Sequence, residues 1–116
     1  MTTITVPLNW NITNAYIYAV YVYQDRIIYV MFRSGYYSRY TLNEVQQEFS
    51  LSSVTINVEA NIGQTVLVRD GNKILKAYIE SFEIRRRNEI WYHIIIFDSN
   101  HNIACTCLQE NIISIS

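Results

Sequence analysis

The chain has little of what long loops, membrane spans and secretion require. Of its 116 residues, 3 are glycine and 1 is proline, which leaves little room for long structureless loops. The apolar runs are strand-length, far below the roughly 20 residues that a bilayer-spanning helix needs. The first residues lack the basic group and apolar stretch of a secretory signal. We therefore expect a cytoplasmic protein with no membrane partner.

Charge is also scarce. Charged residues make up 16% of the chain and the formal net charge is -1 at pH 7, so no long-range field attracts phosphate or an anionic membrane. Apolar residues make up 50%, which excludes intrinsic disorder and is enough for a hydrophobic core. The length predicts one compact domain, since halves of this size would be marginal alone.

The two cysteines, Cys105 and Cys107, are separated by a single residue. A disulfide at that spacing within a strand is strained. Zinc sites usually space paired cysteines by two to four residues, and a second pair is missing although His93, Asp98 and His101 are near in sequence. We interpret both thiols as reduced and packed in the core, and we expect no metal and no cofactor.

Tyrosine, in contrast, is abundant, with 10 residues in the chain. Four of them fall within the segment AYIYAVYVY. In a regular strand Tyr16 and Tyr18 would share one face, and Tyr21 and Tyr23 would lie on the other. The sequence therefore raises the question of which of these rings face the core.

A second segment suggests the answer. AYIESFEI, residues 77–84, aligns with AYIYAVYV, residues 15–22, and both have a step of three between successive apolar pairs. A strand tolerates that step if one extra residue forms a β-bulge, which would turn all four tyrosines to the outer face. Each segment continues into a polar turn and further apolar strands, so the sequence predicts an internal repeat.

The C-terminal half predicts five strands, a turn at Asp70–Asn72 with residues that tolerate positive φ, and a 3₁₀ turn at Gln109–Asn111. The expected strands are Thr65–Arg69, Ile74–Ile84, Ile90–Phe97, Ile103–Leu108 and Ile112–Ile115. The stretch IGQTVLVRDGNKILKAYIESFEI resembles the SH3-like barrels of KOW and Tudor modules, which also occur in many small bacterial and phage proteins. The resemblance implies a small barrel over residues 54–116.

The N-terminal half departs from that pattern. Thr41 and Glu44 form a capping box that predicts a short helix to about Phe49, followed by a strand at Val54–Val58. Pro7 interrupts the only candidate for a first strand. We therefore predict a mainly β fold in one compact domain. Residues 1–53 would form a related β-meander with one short α-helix, and residues 54–116 the SH3-like barrel.

Function is predicted as non-catalytic binding. The chain has no glycine-rich phosphate loop and no nucleophile or zinc-protease motif, so we expect no enzyme. The carboxylates Glu80, Glu83 and Glu89, close to Arg85–Arg87 in sequence, are expected to form a solvated charge ladder on the outer strand face. An outward tyrosine face favours contact with a partner protein or with a second copy in a homodimer, unless another part of the chain covers it. The abundance of Ile, Asn and Tyr is typical of AT-rich genomes, such as those of phages and mobile elements. The partner-binding residues predicted are Tyr16, Tyr18, Tyr21, Tyr23 and Tyr29.

The alternative is single-stranded nucleic acid. Arg85, Arg86 and Arg87 lie at a predicted hairpin tip, and barrel closure would bring Lys73 and Lys76 near them. Cationic groups beside exposed rings can bind phosphates and stack bases. Because the chain has no basic excess overall, protein contacts are favoured over nucleic acid.

Overall fold

The computed structural model describes residues 2–97 and 101–115, and antiparallel strands dominate it. The predicted mainly β class with one α-helix is confirmed. In chain order the elements are β1 (Thr2–Leu8), β2 (Tyr16–Val22), β3 (Ile27–Arg33), β4 (Tyr36–Thr41), α1 (Leu42–Glu48), β5 (Ser52–Val58), β6 (Thr65–Asp70), β7 (Lys73–Arg85), a 3₁₀ turn (Arg86–Asn88), β8 (Glu89–Phe97), β9 (Asn102–Leu108), a second 3₁₀ turn (Gln109–Asn111) and β10 (Ile112–Ile115).

Local chemistry sets the predicted helix and turns. Thr41 accepts a hydrogen bond from the Glu44 backbone N–H, while the Glu44 carboxylate accepts one from the Thr41 N–H, so the capping box starts α1. Val45 is the buried residue of this helix and packs its inner face against the core. Gly71, with φ of 61°, turns β6 into β7 as expected. No helix in the described part of the chain is long and apolar enough to cross a membrane.

The strands form two sheets. β1 pairs with β5 in a small sheet, and the larger sheet runs β10-β6-β7-β2-β3-β4, with β8 on the other edge of β7 and β9 beyond it. Neither sheet closes on itself within residues 2–97 and 101–115. Pro7 does not interrupt β1, contrary to expectation, because a proline without an N–H group is tolerated on an edge strand.

Strand β7 joins the two halves of the chain. Its first part, Lys73–Tyr78, pairs with β6, and its last part, Phe82–Arg85, pairs with β2 along the same edge. The predicted irregularity is present in both strands. Register shifts leave Tyr18 as the extra residue of β2 and Glu80 as the extra residue of β7. The two bulges fall at aligned positions of the two segments.

One hydrophobic cluster contains residues from both halves. Tyr29 of β3 and Tyr92 of β8 are its largest fully buried side chains. Each buried hydroxyl is hydrogen-bonded, that of Tyr29 donating to the Pro7 carbonyl at 2.5 Å. Burial raises the pKa of both tyrosines to about 12, so both stay neutral at physiological pH.

Candidate functional site

The cross-strand pairs identify the sheet face that lies away from the core. Val20 pairs with Ile84 across β2 and β7, and both belong to the core cluster. Tyr21 pairs with Glu83 and therefore faces the opposite way, as does Trp91, which pairs with Glu83 from β8. The strand segments thus carry a second row of side chains, away from the hydrophobic cluster, across the junction of the two halves.

This second face is aromatic and arginine-rich. The Tyr16 and Phe32 rings lie 5.2 Å apart, and the Tyr37 ring lies 4.9 Å from Phe32 and 5.3 Å from Tyr18. Each of three arginines adds its guanidinium group to a ring by cation–π contact. We call the set the aromatic–arginine face, which comprises Tyr16, Tyr18, Tyr21, Phe32, Tyr37, Arg39, Arg85, Arg86 and Trp91.

A buried carboxylate lies under this face. The side chain of Glu83 is only 5% exposed, and its two oxygens bind different partners. One accepts from Arg85 Nε at 2.5 Å, and the other lies 2.9 Å from His93 Nε2. The Tyr21 ring meets the His93 ring edge-on, with centroids 5.7 Å apart. Glu83 was expected in a solvated charge ladder, and that expectation is wrong because these partners replace its water.

The neighbours of Glu83 also set its charge. Burial raises the pKa of this carboxyl group, but hydrogen bonds and positive charge from Arg85 and His93 outweigh burial, so the pKa lies below its ordinary value. Burial and the nearby Glu83 charge raise the pKa of Tyr21. Glu83 is therefore an anion at neutral pH and Tyr21 a neutral phenol. The cluster holds these charged groups in place beneath the aromatic–arginine face.

The hairpin tip between β7 and β8 borders the face. Arg86 places its guanidinium carbon 5.0 Å from the Tyr16 ring centroid. Arg87 and Asn88 adopt left-handed backbone conformations, with φ of 64° and 57°. Such φ values are uncommon for residues other than glycine. Arg87 is exposed to solvent at this turn.

A shallow cavity of about 280 Å³ opens on this face. Two tyrosines and two arginines form most of it, and Glu89 completes the lining. Glu89 is held by the Trp91 indole, whose Nε1–H donates to its carboxylate at 2.6 Å. The cavity is lined by Tyr16, Tyr18, Arg85, Arg86 and Glu89.

The predicted tyrosine set is only partly brought together. Tyr18 is 41% exposed, and Tyr16 and Tyr21 are half-buried on the same face. Tyr29 was predicted as a partner contact, and this prediction is wrong. Tyr29 is fully buried, because the alternation of β3 turns it inward and the Pro7 carbonyl accepts a hydrogen bond from its hydroxyl. Tyr23 lies past the far end of β2, under Arg26.

The predicted cationic set is divided in the same way. Arg85 and Arg86 join the aromatic face. Lys73 and Lys76 do not join them, because they lie in the first part of β7, beside β6. Arg85 lies nine positions after Lys76 on this strand, a span of about 30 Å if extended. The expected approach by barrel closure is therefore wrong for these two lysines.

Sequence reasoning missed four members of the site. Phe32, Arg39, Trp91 and Glu83 reach the face only through the pairing of β2 with β7 and of their outer neighbours. The available signal for Trp91 was strand alternation in β8, since Ile90 and Tyr92 are inward and Trp91 between them must be outward.

Burial makes both cysteine thiols less acidic than usual by raising their pKa. Cys105 and Cys107 are free thiols that pack against the core cluster, and burial raises the pKa of Cys107 to about 11. Among the described residues, no group of three or more His, Cys, Asp or Glu side chains could hold a metal ion. Asp98, one of the ligands considered, lies outside the described residues.

Comparison with family models, with curated proteins and with solved structures found no significant match. Function must therefore be argued from the chemistry of this chain's own residues.

Proposed function

We propose that this protein is a non-catalytic binding module whose aromatic–arginine face docks a partner protein. A homodimer through the same face is the second form of this proposal. The supporting observation is the composition of the face, because Tyr, Trp and Arg are the residue types that dominate binding energy in protein interfaces. Two of its rings, Tyr18 and Tyr37, are 41% and 57% exposed and pack edge-on against each other. Contiguous exposed aromatic surface of this kind is typical of interaction sites.

Removing those two rings tests the proposal. We expect the double variant Tyr18→Ser/Tyr37→Ser to weaken partner binding or dimerisation roughly 30-fold, as loss of a hot spot of about 2 kcal/mol implies. Affinity capture from the native host with nuclease present, together with light scattering for self-association, measures both. The fold should persist, because both rings are at the surface.

Tyr36 supplies the matched control. It neighbours Tyr37 on β4 and is 74% exposed, but strand alternation directs it to the other side. Tyr36→Ser should leave capture and oligomeric state unchanged. Equal losses in both variants, or unfolding of the double variant by circular dichroism, would contradict the proposal.

The SH3-like barrel is proposed for residues 54–116 on the strength of strand order. Within this range, five strands follow the order β10-β6-β7-β8-β9, with a 3₁₀ turn between β9 and β10, while β5 pairs with β1 in the small sheet. That order is a five-stranded meander whose last strand returns beside its first. A cytoplasmic location and a phage or mobile-element origin are also proposals, motivated by sequence composition alone.

Single-stranded nucleic acid is the second candidate function. The observation that favours it is the alternation of cation and ring: the Arg86 guanidinium lies over Tyr16, and that of Arg85 lies 4.7 Å from the Trp91 ring centroid. Rings of this kind stack bases while arginines contact phosphates.

For this candidate we expect Arg86→Gln/Arg87→Gln to weaken a salt-sensitive shift of labelled oligo(dT). Loss of two phosphate contacts lowers the slope of log affinity against log salt by about 1.4. Lys73→Gln/Lys76→Gln removes the same charge near the other end of β7 and should have little effect. Absence of any shift at low salt would eliminate nucleic acid as a partner.

A further inference from the structure

We propose that the cavity between Tyr16, Tyr18, Arg85 and Arg86 is a carboxylate-binding subsite for an acidic segment of the partner protein. The inference rests on the proposed function and deepens it by naming the partner's chemistry. An aspartate side chain, a glutamate side chain or a C-terminal carboxylate would enter the cavity, while the partner's apolar groups would cover the exposed rings.

Arg85 is preorganised for this role. Its Nε donates to the buried Glu83 carboxylate, and its guanidinium carbon lies over the Trp91 ring. Arg85 lines the cavity, and with Nε engaged its terminal Nη groups are the donors that it can offer to a ligand. Carboxylates fit the planar fork of arginine, and a fork held before binding loses less entropy when the ligand arrives. Glu83 thus acts as a positioning residue.

The walls of the cavity fit a single charged group attached to a small apolar stem. Tyr16 and Tyr18 are part of its lining, and the Arg86 guanidinium lies over the Tyr16 ring. A volume of about 280 Å³ accommodates one side chain and excludes a folded element.

The local charge disfavours a chain of phosphates. Glu89 lines the same cavity, held by the Trp91 indole, and together with Glu83 it balances the charges of Arg85 and Arg86. A carboxylate would therefore bind through the directed hydrogen bonds of the guanidinium groups and not through an excess of positive charge. The positive charge of Arg85 is already matched by Glu83. A polyphosphate backbone would need a wider cationic groove, since its affinity depends on many neutralised phosphates.

The test is an NMR titration of the full chain with the methylamide of N-acetyl-L-glutamate, which carries one carboxylate. The signals followed are the Arg85 and Arg86 Nε–H groups and the Trp91 indole N–H. We expect saturable shifts with this probe and none with the matched glutamine derivative, which has the same shape without charge. Equal responses to the two probes would overturn the proposal.

Variants separate positioning from charge. Arg86→Gln and Arg85→Lys should each weaken the glutamate probe about tenfold, the second because an ammonium group keeps the charge but lacks the fork. Glu83→Gln should weaken it too, although Glu83 does not line the cavity. The control Arg69→Gln removes one positive charge from the exposed end of β6 and should change nothing. Unaltered affinity in both Arg85→Lys and Glu83→Gln would contradict preorganisation and overturn the proposal.

Inorganic phosphate and short oligo(dT) serve as competing probes. If either displaces the glutamate probe at lower concentration than free glutamate does, the subsite belongs to phosphate and the proposal is wrong. If the titration fails while capture still depends on Tyr18 and Tyr37, the carboxylate subsite is excluded and the protein-binding face stands. If the titration succeeds and capture does not depend on those rings, the proposed docking face fails instead.

Discussion

Tyr92→Ala is expected to lower the free energy of unfolding by about 4 kcal/mol, as truncation of a large buried aromatic residue typically does. The ring is fully buried and meets Phe82 edge-on at 5.4 Å. Its hydroxyl also joins separate parts of the chain: it donates to Gln109 Oε1 at 2.7 Å and accepts the Glu59 backbone N–H at 2.8 Å. Urea unfolding followed by circular dichroism measures the loss.

The phenylalanine variants separate packing from hydrogen bonding. Tyr92→Phe keeps the ring but leaves both Gln109 and Glu59 without this partner, so we expect a loss of about 2 kcal/mol. Tyr29→Phe removes a single donated bond to Pro7 and should lose about 1 kcal/mol. If Tyr92→Phe were as stable as the parent protein, the hydroxyl would not tie these segments together.

Spacing and capping residues were enough to predict much of the local structure. The three-residue step in two distant segments predicted bulges, which fall at Tyr18 and Glu80. The Thr41 capping box predicted the helix, and the 3₁₀ turn at Gln109–Asn111 also lies where expected. These features depend on neighbours within a few residues, so the sequence contains their causes directly. The internal repeat itself stays a prediction.

The pairing of β2 with β7 was beyond sequence reasoning. It joins residues sixty or more positions apart, and no periodicity of one segment specifies its edge partner. The candidate site depends on that pairing, because Tyr21 and Glu83 meet only there. This is why the tyrosines and the arginine tip, considered separately from sequence, lie on one face.

Burial of polar side chains was the second point that pattern alone could not supply. Tyr29 was expected outside and Glu83 in solvent, since exposed positions are the usual ones for such groups. Both are inside because specific partners satisfy them: Pro7 for the phenol, and Arg85 with His93 for the carboxylate. Pro7 and His93 lie on other strands than the side chains they satisfy, and Arg85 reaches the Glu83 carboxylate through its side-chain rotamer. The sequence specifies neither the strand arrangement nor the rotamer.

Glu83→Gln is expected to lower the free energy of unfolding by about 2 kcal/mol at pH 7, because the amide cannot serve both Arg85 and His93 as a charged acceptor. The pKa of Glu83 is lowered in the folded protein, so its contribution is present above the unfolded-state pKa and is lost as pH falls through the folded-state pKa. Tyr21, which faces the same carboxyl, stays neutral throughout this acid range because its pKa is raised. The stability difference between parent and variant should therefore be full above about pH 5 and shrink at lower pH.

Urea unfolding at neutral and acidic pH measures that difference, and Glu80→Gln is the matched control for the same chemical change. Glu80 is the exposed extra residue of the β7 bulge, three residues from Glu83 on the same strand. Its replacement should alter stability by less than about 0.5 kcal/mol at any pH, as is usual for exposed positions. A Glu83→Gln penalty that stayed constant down to strong acid would mean that lost packing, and not the charge of the carboxylate, stabilises the junction of the two halves. Arg85 would then lack the anionic anchor that its preorganisation requires.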